Sequence, residues 1–192
     1  RMQDLVADLL TLSQLEGSLP PGLNQQVLLP ELMSQIESDA RALSSLMAGL
    51  DATQTQDIIF DPSPDWAFLG SRTELQSAVS NLVSNAVRYT PLGGKIHARW
   101  WRQSDYCIFA VTDTGPGIAP EHLPRLSERF YRVDRSRSRE TGGTGLGLAI
   151  AKHVAQRHGG ELRIESQVGQ GSTFMLVLPM SRCVVANAPV EV

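Results

Sequence analysis

The stretch SRTELQSAVSNLVSNAVRY, residues 71–89, has the clearest periodicity in the chain. Its apolar residues recur at spacings of three and four and form one stripe, which predicts an amphipathic helix packed on a core. At about 100° per residue, the side chains of Asn81, Asn85 and Arg88 fall in one narrow sector away from the centre of that stripe. We therefore expect this helix to present two carboxamides and a guanidinium on a separate face.

The segments around this helix predict a mixed sheet covered by helices. Alternating apolar residues predict two hairpins, 95–102 with 106–112 and 161–166 with 172–178. Further strands are predicted at 57–61 and 66–69, and further helices at 1–16, 30–49 and 144–158. Because no strand–helix–strand unit repeats, a doubly wound sheet is disfavoured. A two-layer α/β sandwich, with a mixed sheet of about five strands packed on three helices and a short N-terminal helix, fits better.

The composition excludes several classes of protein. The chain has 192 residues, of which 42% are hydrophobic, so it can build one domain with a core of its own. It contains no apolar run near the ~18 residues of a membrane-spanning helix. A net charge of -3 disfavours a nucleic-acid-coating surface. We therefore expect neither nucleic acid nor membrane contact for this chain. Its two cysteines, Cys107 and Cys183, are too few for a disulfide framework and suit a reducing compartment.

The first predicted helix has an apolar stripe that is continuous almost to the first residue. It ends at the sequence GSLPPG, residues 17–22. A lone helix of this length is marginal in water, so it needs a partner in the same chain or in a dimer. Since the sequence starts at Arg1 and has no signal-peptide pattern, we expect it to be part of a longer protein.

Three clusters of residues that could bind a ligand follow one another along the chain: NLVSNAVRY at 81–89, DTGPG at 113–117 and GGTGLGL at 142–148. Carboxamide oxygens at 81 and 85 are hard ligands that suit Mg²⁺. Asp113 ends a predicted strand, where a carboxylate can accept from an amino group such as that of adenine. The last cluster precedes a helix, whose first N–H groups can bind phosphates.

Each cluster also has a plainer interpretation. The asparagines can lie on a solvated helix face, the second cluster can be a strand-ending turn, and the glycines can be a hinge. Taken together, however, the three clusters provide a metal ligand, a base-recognition carboxylate and a phosphate cradle. Residues 118–141 form a long polar loop between the last two, of the kind that is usually functional. The most economical ligand is Mg²⁺-ATP.

The ordered set resembles the catalytic, ATP-binding domain of bacterial sensor histidine kinases, which has the Bergerat-type ATP-binding fold. ERFYRVD at 128–134 and GSTF at 171–174 extend the resemblance, which covers about residues 27–179. Residues 1–16 are similar to the end of the second helix of the dimerisation and phosphoacceptor domain. Residues 77–91 and 118–132 are most similar to the branch of that family that serves the phosphate regulon.

The resemblance implies a division of the chain and a set of partners. The division is a dimerisation-helix end at 1–18, a linker at 19–26, an ATP-binding domain at 27–180 with its lid at 118–141, and a flexible tail at 181–192. The implied partners are ATP, a response regulator receiver domain and the dimerisation domain of a full-length homodimer. The implied location of that longer protein is the cytoplasmic side of the bacterial inner membrane.

The resemblance also implies roles for single residues on the metal and phosphate side. Asn85 would coordinate Mg²⁺, and Asn81 would help at the metal or the phosphates. Arg88 and Tyr89 would approach the phosphates or the ribose, and Arg132 would meet the γ-phosphate.

On the base side and in the glycine-rich cluster, Asp113 would bind the adenine amino group. Gly115, Gly117 and Ile118 would line the base pocket, and Thr173 would lie near the adenine through water. The phosphates would be held by Gly143, Gly145 and Gly147, with Leu146 supporting the lid. Thr144 and Leu148 of the same cluster would also belong to the cofactor-binding residues. Phe130 and Tyr131 have an alternative interpretation as anchors of the lid.

Two features favour phosphoryl transfer over hydrolysis. Related ATPases activate water with a glutamate one helical turn before the metal-binding asparagine, and this chain has Asn81 there. Loss of such a base typically costs ~10²–10⁴ in rate. None of the histidines, at 97, 122, 153 and 158, has the sequence context of a phosphoacceptor. The implied enzyme is thus a protein-histidine kinase whose acceptor histidine lies outside this chain. A degenerate ATP-binding regulator, a hydrolytic ATPase and a serine kinase of the same fold are the alternatives.

Overall fold

The computed structural model describes residues 2–49, 54–133 and 143–186. Its four α-helices within these ranges are α1 Met2–Gly17, α2 Leu29–Ala48, α3 Arg72–Tyr89 and α4 Gly147–Arg157. Its strands in the same ranges are β1 Gln26–Leu28, β2 Asp57–Phe60, β3 Trp66–Leu69, β4 Lys95–Gln103, β5 Tyr106–Asp113, β6 Glu161–Gln167, β7 Gly171–Pro179 and β8 Cys183–Val185. Short 3₁₀ turns lie at Leu123–Arg125 and Met180–Arg182.

The main sheet has five strands in the order β2-β4-β5-β7-β6. Strand β2 runs parallel to β4, and every other neighbour in this sheet is antiparallel. One face of the sheet is buried under the helices because apolar residues alternate along its strands, as with Cys107, Phe109 and Val111 on β5. The predicted mixed sheet and its two hairpins are confirmed.

A second, three-stranded sheet has the order β1-β3-β8. Val27 and Cys183 both lie opposite Phe68 of the middle strand. The prediction of a flexible tail at 181–192 is wrong for residues 183–185, which form β8. The pattern of these three residues is too short to predict a strand, and pairing with β3 supplies their hydrogen bonds. Residues 187–192 lie outside the described part of the chain.

Helix α3 packs between α2 and α4. The side-chain oxygen of Ser71 accepts from the backbone N–H of Glu74 at 3.3 Å and caps the helix. The predicted stripe is confirmed, and all six of its residues are buried: Leu75, Ala78, Val79, Leu82, Val83 and Ala86. Its burial fixes the rotation of α3 and so determines where the polar sector points.

Helix α1 finds its partner within the same chain. Leu12 and Leu15 are buried in the common core, and the helix packs on α4. The guanidinium of Arg157 donates to the carbonyl oxygens of Leu15, Ser18 and Leu19 at 2.7–2.8 Å. These bonds satisfy one carbonyl in the last turn of α1, which has no partner within the helix, and two carbonyls that directly follow the helix.

The last helix is shorter than its sequence suggests. A helix was predicted from residue 144, but α4 begins at Gly147. Gly145 has φ +76°, a left-handed conformation that interrupts a right-handed helix. The residues before α4 therefore stay in a loop. Across 2–49, 54–133 and 143–186, no helix combines the length and the hydropathy needed to cross a membrane.

Candidate functional site

A cavity of about 510 Å³ lies between α3, the end of β5, the described part of the 118–141 loop and the loop before α4. The three sequence clusters, which are far apart along the chain, meet on its walls. Thirteen of the predicted site residues line it: Asn81, Asn85, Arg88, Tyr89, Asp113, Gly117, Ile118, Arg132, Gly143, Thr144, Gly145, Gly147 and Leu148. Gly142 and residues 134–141 lie outside the described residues.

The polar sector of α3 forms one wall of the cavity. The side-chain amide of Asn81 donates to the carbonyl oxygen of Ser77 at 2.9 Å, which orients its own oxygen away from that turn. A Cβ atom on Gly147 would lie 2.5 Å from the Asn81 Oδ1 atom. The start of α4 therefore approaches α3 as closely as it does because residue 147 has no side chain. Asn85 lies one turn further along the same wall.

Asp113 lies at the end of β5, almost completely buried in another wall. Burial raises the pKa of its carboxyl group, while the backbone N–H groups of Gly115 and Ser172 lower it in part. The Gly115 N–H donates to Asp113 Oδ1 at 2.8 Å. Gly117 follows with φ +70°, and a Cβ atom there would overlap the Gln167 carbonyl oxygen. At this end of the cavity, the Asp113 carboxylate is held in place by a backbone N–H group. The backbone at Gly117 packs so closely against that of Gln167 that a side chain would not fit.

The loop before α4 closes the cavity opposite Asp113. The Phe130 N–H donates to the Gly145 carbonyl oxygen at 2.9 Å and joins this loop to the lid segment. A Cβ atom on Gly143 would lie 3.9 Å from the Tyr89 hydroxyl and 4.0 Å from Arg132 Nη2. Two arginines, Arg88 and Arg132, therefore line the same part of the cavity as the glycine-rich backbone.

Tyr131 and Phe130 of the lid segment have different surroundings. The Tyr131 hydroxyl lies 2.7 Å from His122 Nδ1, and the Arg125 guanidinium stacks 4.3 Å from the centre of its ring. Tyr131 therefore both anchors the lid and lines the cavity. Phe130 is 55% exposed and has φ +63°, which is uncommon for a residue with a side chain. The anchoring interpretation thus fits Tyr131 and does not fit Phe130.

Three predicted residues do not line the cavity. Gly115 contributes only indirectly, because its backbone N–H donates to the Asp113 carboxylate. Leu146 is fully buried in the core. The Thr173 hydroxyl lies 3.0 Å from that of Thr112 on the other face of the sheet. Ser172 lines the cavity instead, since neighbouring side chains on a strand point to opposite faces. Ser172 also lies opposite Asp113 in the pairing of β5 with β7, a register that the sequence alone does not reveal.

The most unexpected cavity residue is Asp8 of α1. Its Oδ2 atom accepts from the Thr144 hydroxyl at 2.6 Å, so a carboxylate lies beside the glycine-rich loop. The same helix forms an ion pair between Glu16 and Arg129 of the lid segment. Nothing in the pattern of α1 predicts these contacts, because its apolar stripe does not reveal which surface it packs on.

The donor set limits how a metal ion could be held. The described residues contain no group of three or more His, Cys, Asp or Glu side chains able to hold a metal ion. Asn85 supplies one neutral oxygen on the cavity wall. Such a site fits Mg²⁺ only when water and ligand phosphates provide the remaining oxygens, which is how this ion is usually bound.

Comparisons with known proteins agree with this geometry. Residues 70–182 match the family described as histidine kinase-, DNA gyrase B-, and HSP90-like ATPase. The match covers more than half of the chain, so the chain belongs to this ATPase family. Its five-stranded mixed sheet with covering helices is the Bergerat-type α/β fold of histidine kinase catalytic domains.

The relatives within the family are sensor histidine kinases. The phosphate regulon sensor protein PhoR of Pseudomonas aeruginosa is 51% identical over 91% of this chain. The sensor-like histidine kinase SenX3 of Mycobacterium tuberculosis is 42% identical over 93% of it. The chain spans 38% and 42% of the lengths of these two relatives.

Solved structures give the same result. ShkA, whose full-length crystal structure is a complex with AMPPNP, has a TM-score of 0.76 at 26% identity. That match covers 98% of this chain and 37% of ShkA. The mycobacterial sensor histidine kinase MprB has a TM-score of 0.64 at 28% identity, covering 81% of this chain and 96% of that structure.

Proposed function

We propose that this chain binds Mg²⁺-ATP in the cavity and donates the γ-phosphoryl group to a histidine on a dimerisation domain outside the chain. The phosphoryl group would then pass to an aspartate of a response regulator. The observation that carries the proposal is the convergence of Asn85, Asp113 and the 143–147 loop on one cavity. Its volume of about 510 Å³ suits a small-molecule ligand such as a nucleotide.

The adenine would lie at the Asp113 end of the cavity. A carboxylate fixed by two backbone N–H groups can accept from the exocyclic amino group of the base. The flat ring of the base would lie next to Ile118 and Leu148, which line the cavity together with Gly117. Ser172 would take the place that the resemblance implies for Thr173.

The phosphates would lie between the loop before α4 and the arginines. The first N–H groups of a helix attract anions, and Gly145 and Gly147 leave them accessible. Arg88 and Arg132 would add charge-assisted hydrogen bonds to phosphate oxygens. Asn85 would hold Mg²⁺, which when bound would neutralise the charge that develops on the transferred group.

Transfer to a histidine is favoured over hydrolysis by the residues around the expected γ-phosphate. Asn81 carries a carboxamide, which cannot take a proton from water. Three of the four histidines are also held in other contacts: His97 with Asp61, His122 with Tyr131, and His158 inside the core. We infer that the accepting histidine belongs to the dimerisation domain, with residues 1–18 the end of its second helix.

The input of the proposed kinase is inferred from its relatives. Its similarity to PhoR of Pseudomonas aeruginosa supports a role in phosphate-starvation signalling. The division at 1–18, 19–26 and 27–180 remains part of this proposal, as does the cytoplasmic side of the bacterial inner membrane as the place where the whole protein works.

Hydrolysis of ATP is the alternative, with one specific observation in its favour. Asp8 lines the cavity and carries an acidic group able to take a proton from water. Phosphate release from Mg²⁺-ATP in the absence of any other protein, lost in Asp8→Asn, would support an ATPase. Transfer to a separately made dimerisation domain, with little release of phosphate, would support the kinase.

The test uses this chain, γ-labelled Mg²⁺-ATP and a separately made dimerisation domain. We expect label on the histidine of that domain and none on this chain. Asn85→Asp should reduce transfer by ~10² or more, because it changes the group that holds the metal. Asn24→Asp makes the same chemical change at an exposed turn and is the matched control. Unchanged nucleotide affinity and unchanged transfer in Asn85→Asp would refute the metal assignment.

A further inference from the structure

The fold brings the only two cysteines of the chain together, far from the cavity. Cys107 lies on β5, directly opposite Leu178 of β7. Strand β7 ends at Pro179, a short 3₁₀ turn follows, and Cys183 begins β8. The second cysteine thus comes five positions after the residue that faces the first. Both side chains pack in the same apolar core.

The two thiols are free, and the strands that carry them bring both side chains to one apolar core. Contact with the Cys183 thiol, and then burial, raise the pKa of the Cys107 thiol. Reduced Cys107 therefore stays protonated and is a poor first nucleophile, since the thiolate is the reactive form.

The two cysteines differ in solvent exposure, and this gives them different roles in the reaction. Cys107 is 0% exposed, whereas Cys183 is partly exposed on the three-stranded sheet. A reagent in solution can therefore reach Cys183 first. Once Cys183 has reacted, Cys107 is the thiol positioned to displace the attached group.

We propose that Cys107 and Cys183 form a redox-active pair that closes to an intramolecular disulfide when a small-molecule disulfide is the oxidant. In the first step the Cys183 sulfur attacks the reagent and forms a mixed disulfide, releasing one small thiol. In the second step the Cys107 sulfur attacks the Cys183 sulfur and releases the other thiol, which takes the proton of Cys107. The two cysteines are oxidised by two electrons, and the reagent is reduced to two thiols.

The disulfide would join the two sheets of the fold. Cys107 belongs to the five-stranded sheet and Cys183 to the three-stranded one, so the bond would tie β8 to the central strand β5. Neither cysteine lines the cavity, so the pair acts separately from the proposed nucleotide site. Disulfides in intracellular proteins are usually transient and redox-sensing, which fits a pair with one accessible partner.

The test is to incubate the folded chain with oxidised glutathione and to follow its mass and free thiols. We expect loss of two hydrogens, no free thiol, a monomeric chain and full reversal by dithiothreitol. The oxidised chain should unfold at a Tm higher by roughly 5–10 °C, because the bond closes a long loop of the unfolded chain.

Variants separate the two steps. Cys107→Ala should stop at a stable mixed disulfide on Cys183, and Cys183→Ala should not react while folded. If the folded wild-type chain gives only the mixed disulfide, or dimers linked through Cys183, the proposal is wrong. An intramolecular disulfide that forms only after unfolding in urea would overturn it as well.

Discussion

Replacing Arg157 with alanine is expected to destabilise the chain and to loosen the end of α1. The Arg157 side chain is only 8% exposed, and all five of its N–H groups are engaged. Two of them bind the Glu74 carboxylate at 2.9 Å each. The other three bind the carbonyl oxygens of Leu15, Ser18 and Leu19. One side chain therefore links α1, α3 and α4.

The size of the effect follows from what the substitution leaves behind. Glu74 is 15% exposed, so without Arg157 its carboxylate is unpaired in a poorly hydrated place. Removing one partner of a buried pair costs about 3–5 kcal/mol. The carbonyls at the end of α1 can bind water instead, so we expect a loss near the lower limit, about 3 kcal/mol. Arg157→Lys should recover only part of this, because an ammonium group cannot bind a carboxylate bidentately.

Urea unfolding measures the loss, and hydrogen exchange of the α1 amides shows whether the helix loosens. Arg163→Ala is the matched control, because the ion pair of Arg163 with Glu161 is 52% and 56% exposed. Such a surface pair contributes at most about 1 kcal/mol. Equal shifts of the urea midpoint in the two variants, or unchanged exchange in α1, would refute the reasoning.

Three other changes test separate features. Asp8→Asn should raise the affinity for ATP about fivefold. The substitution removes a negative charge 2.6 Å from the Thr144 hydroxyl, where it would repel the phosphates of the proposed ligand. Unchanged binding of a fluorescent ATP analogue would contradict this. Lowering the pH from about 7.5 to about 5.5 should reduce the free energy of unfolding, by up to about 1.4 kcal/mol per pH unit. Burial lowers the pKa of His158 in the folded chain. Below pH 6.5, about the usual pKa of histidine, the unfolded chain therefore binds a proton that the folded chain does not. If His158→Gln lost as much unfolding free energy over the same pH range, His158 would not be the origin. Gly117→Ala should cost at least 1–3 kcal/mol in urea unfolding, since its Cβ would overlap the Gln167 carbonyl at φ +70°, and a change below about 0.5 kcal/mol would contradict the geometry.

The long periodic elements could be predicted from the sequence because their burial is visible in their own pattern. The stripe of α3 predicted both the helix and the sector carrying Asn81 and Asn85. The same holds for the β4–β5 hairpin and for Asp113 at the end of its second strand. The order of the clusters then predicted one shared cavity, although they are separated along the chain.

The remaining features depend on partners that a local pattern does not reveal. Strands β1 and β8 have three residues each and exist because β3 pairs with both. The resemblance implied Thr173, whereas Ser172 lines the cavity, because the sequence does not fix which face of β7 points to it. Asp8 was missed because the position of α1 depends on α4 and on Arg157 rather than on its own residues.

The three-stranded sheet has a consequence for how the domain connects to other segments. Strands β1 and β8 flank β3 on opposite edges and run in the same direction, so Val27 and Cys183 are two strand spacings apart, roughly 10 Å. Both strands therefore begin at the same end of this sheet, although α1 precedes β1 and belongs to the same folded unit. A circular permutant that joins residue 185 to residue 26 would therefore lose α1, and with it Asp8 and the contacts that Arg157 makes with the end of that helix.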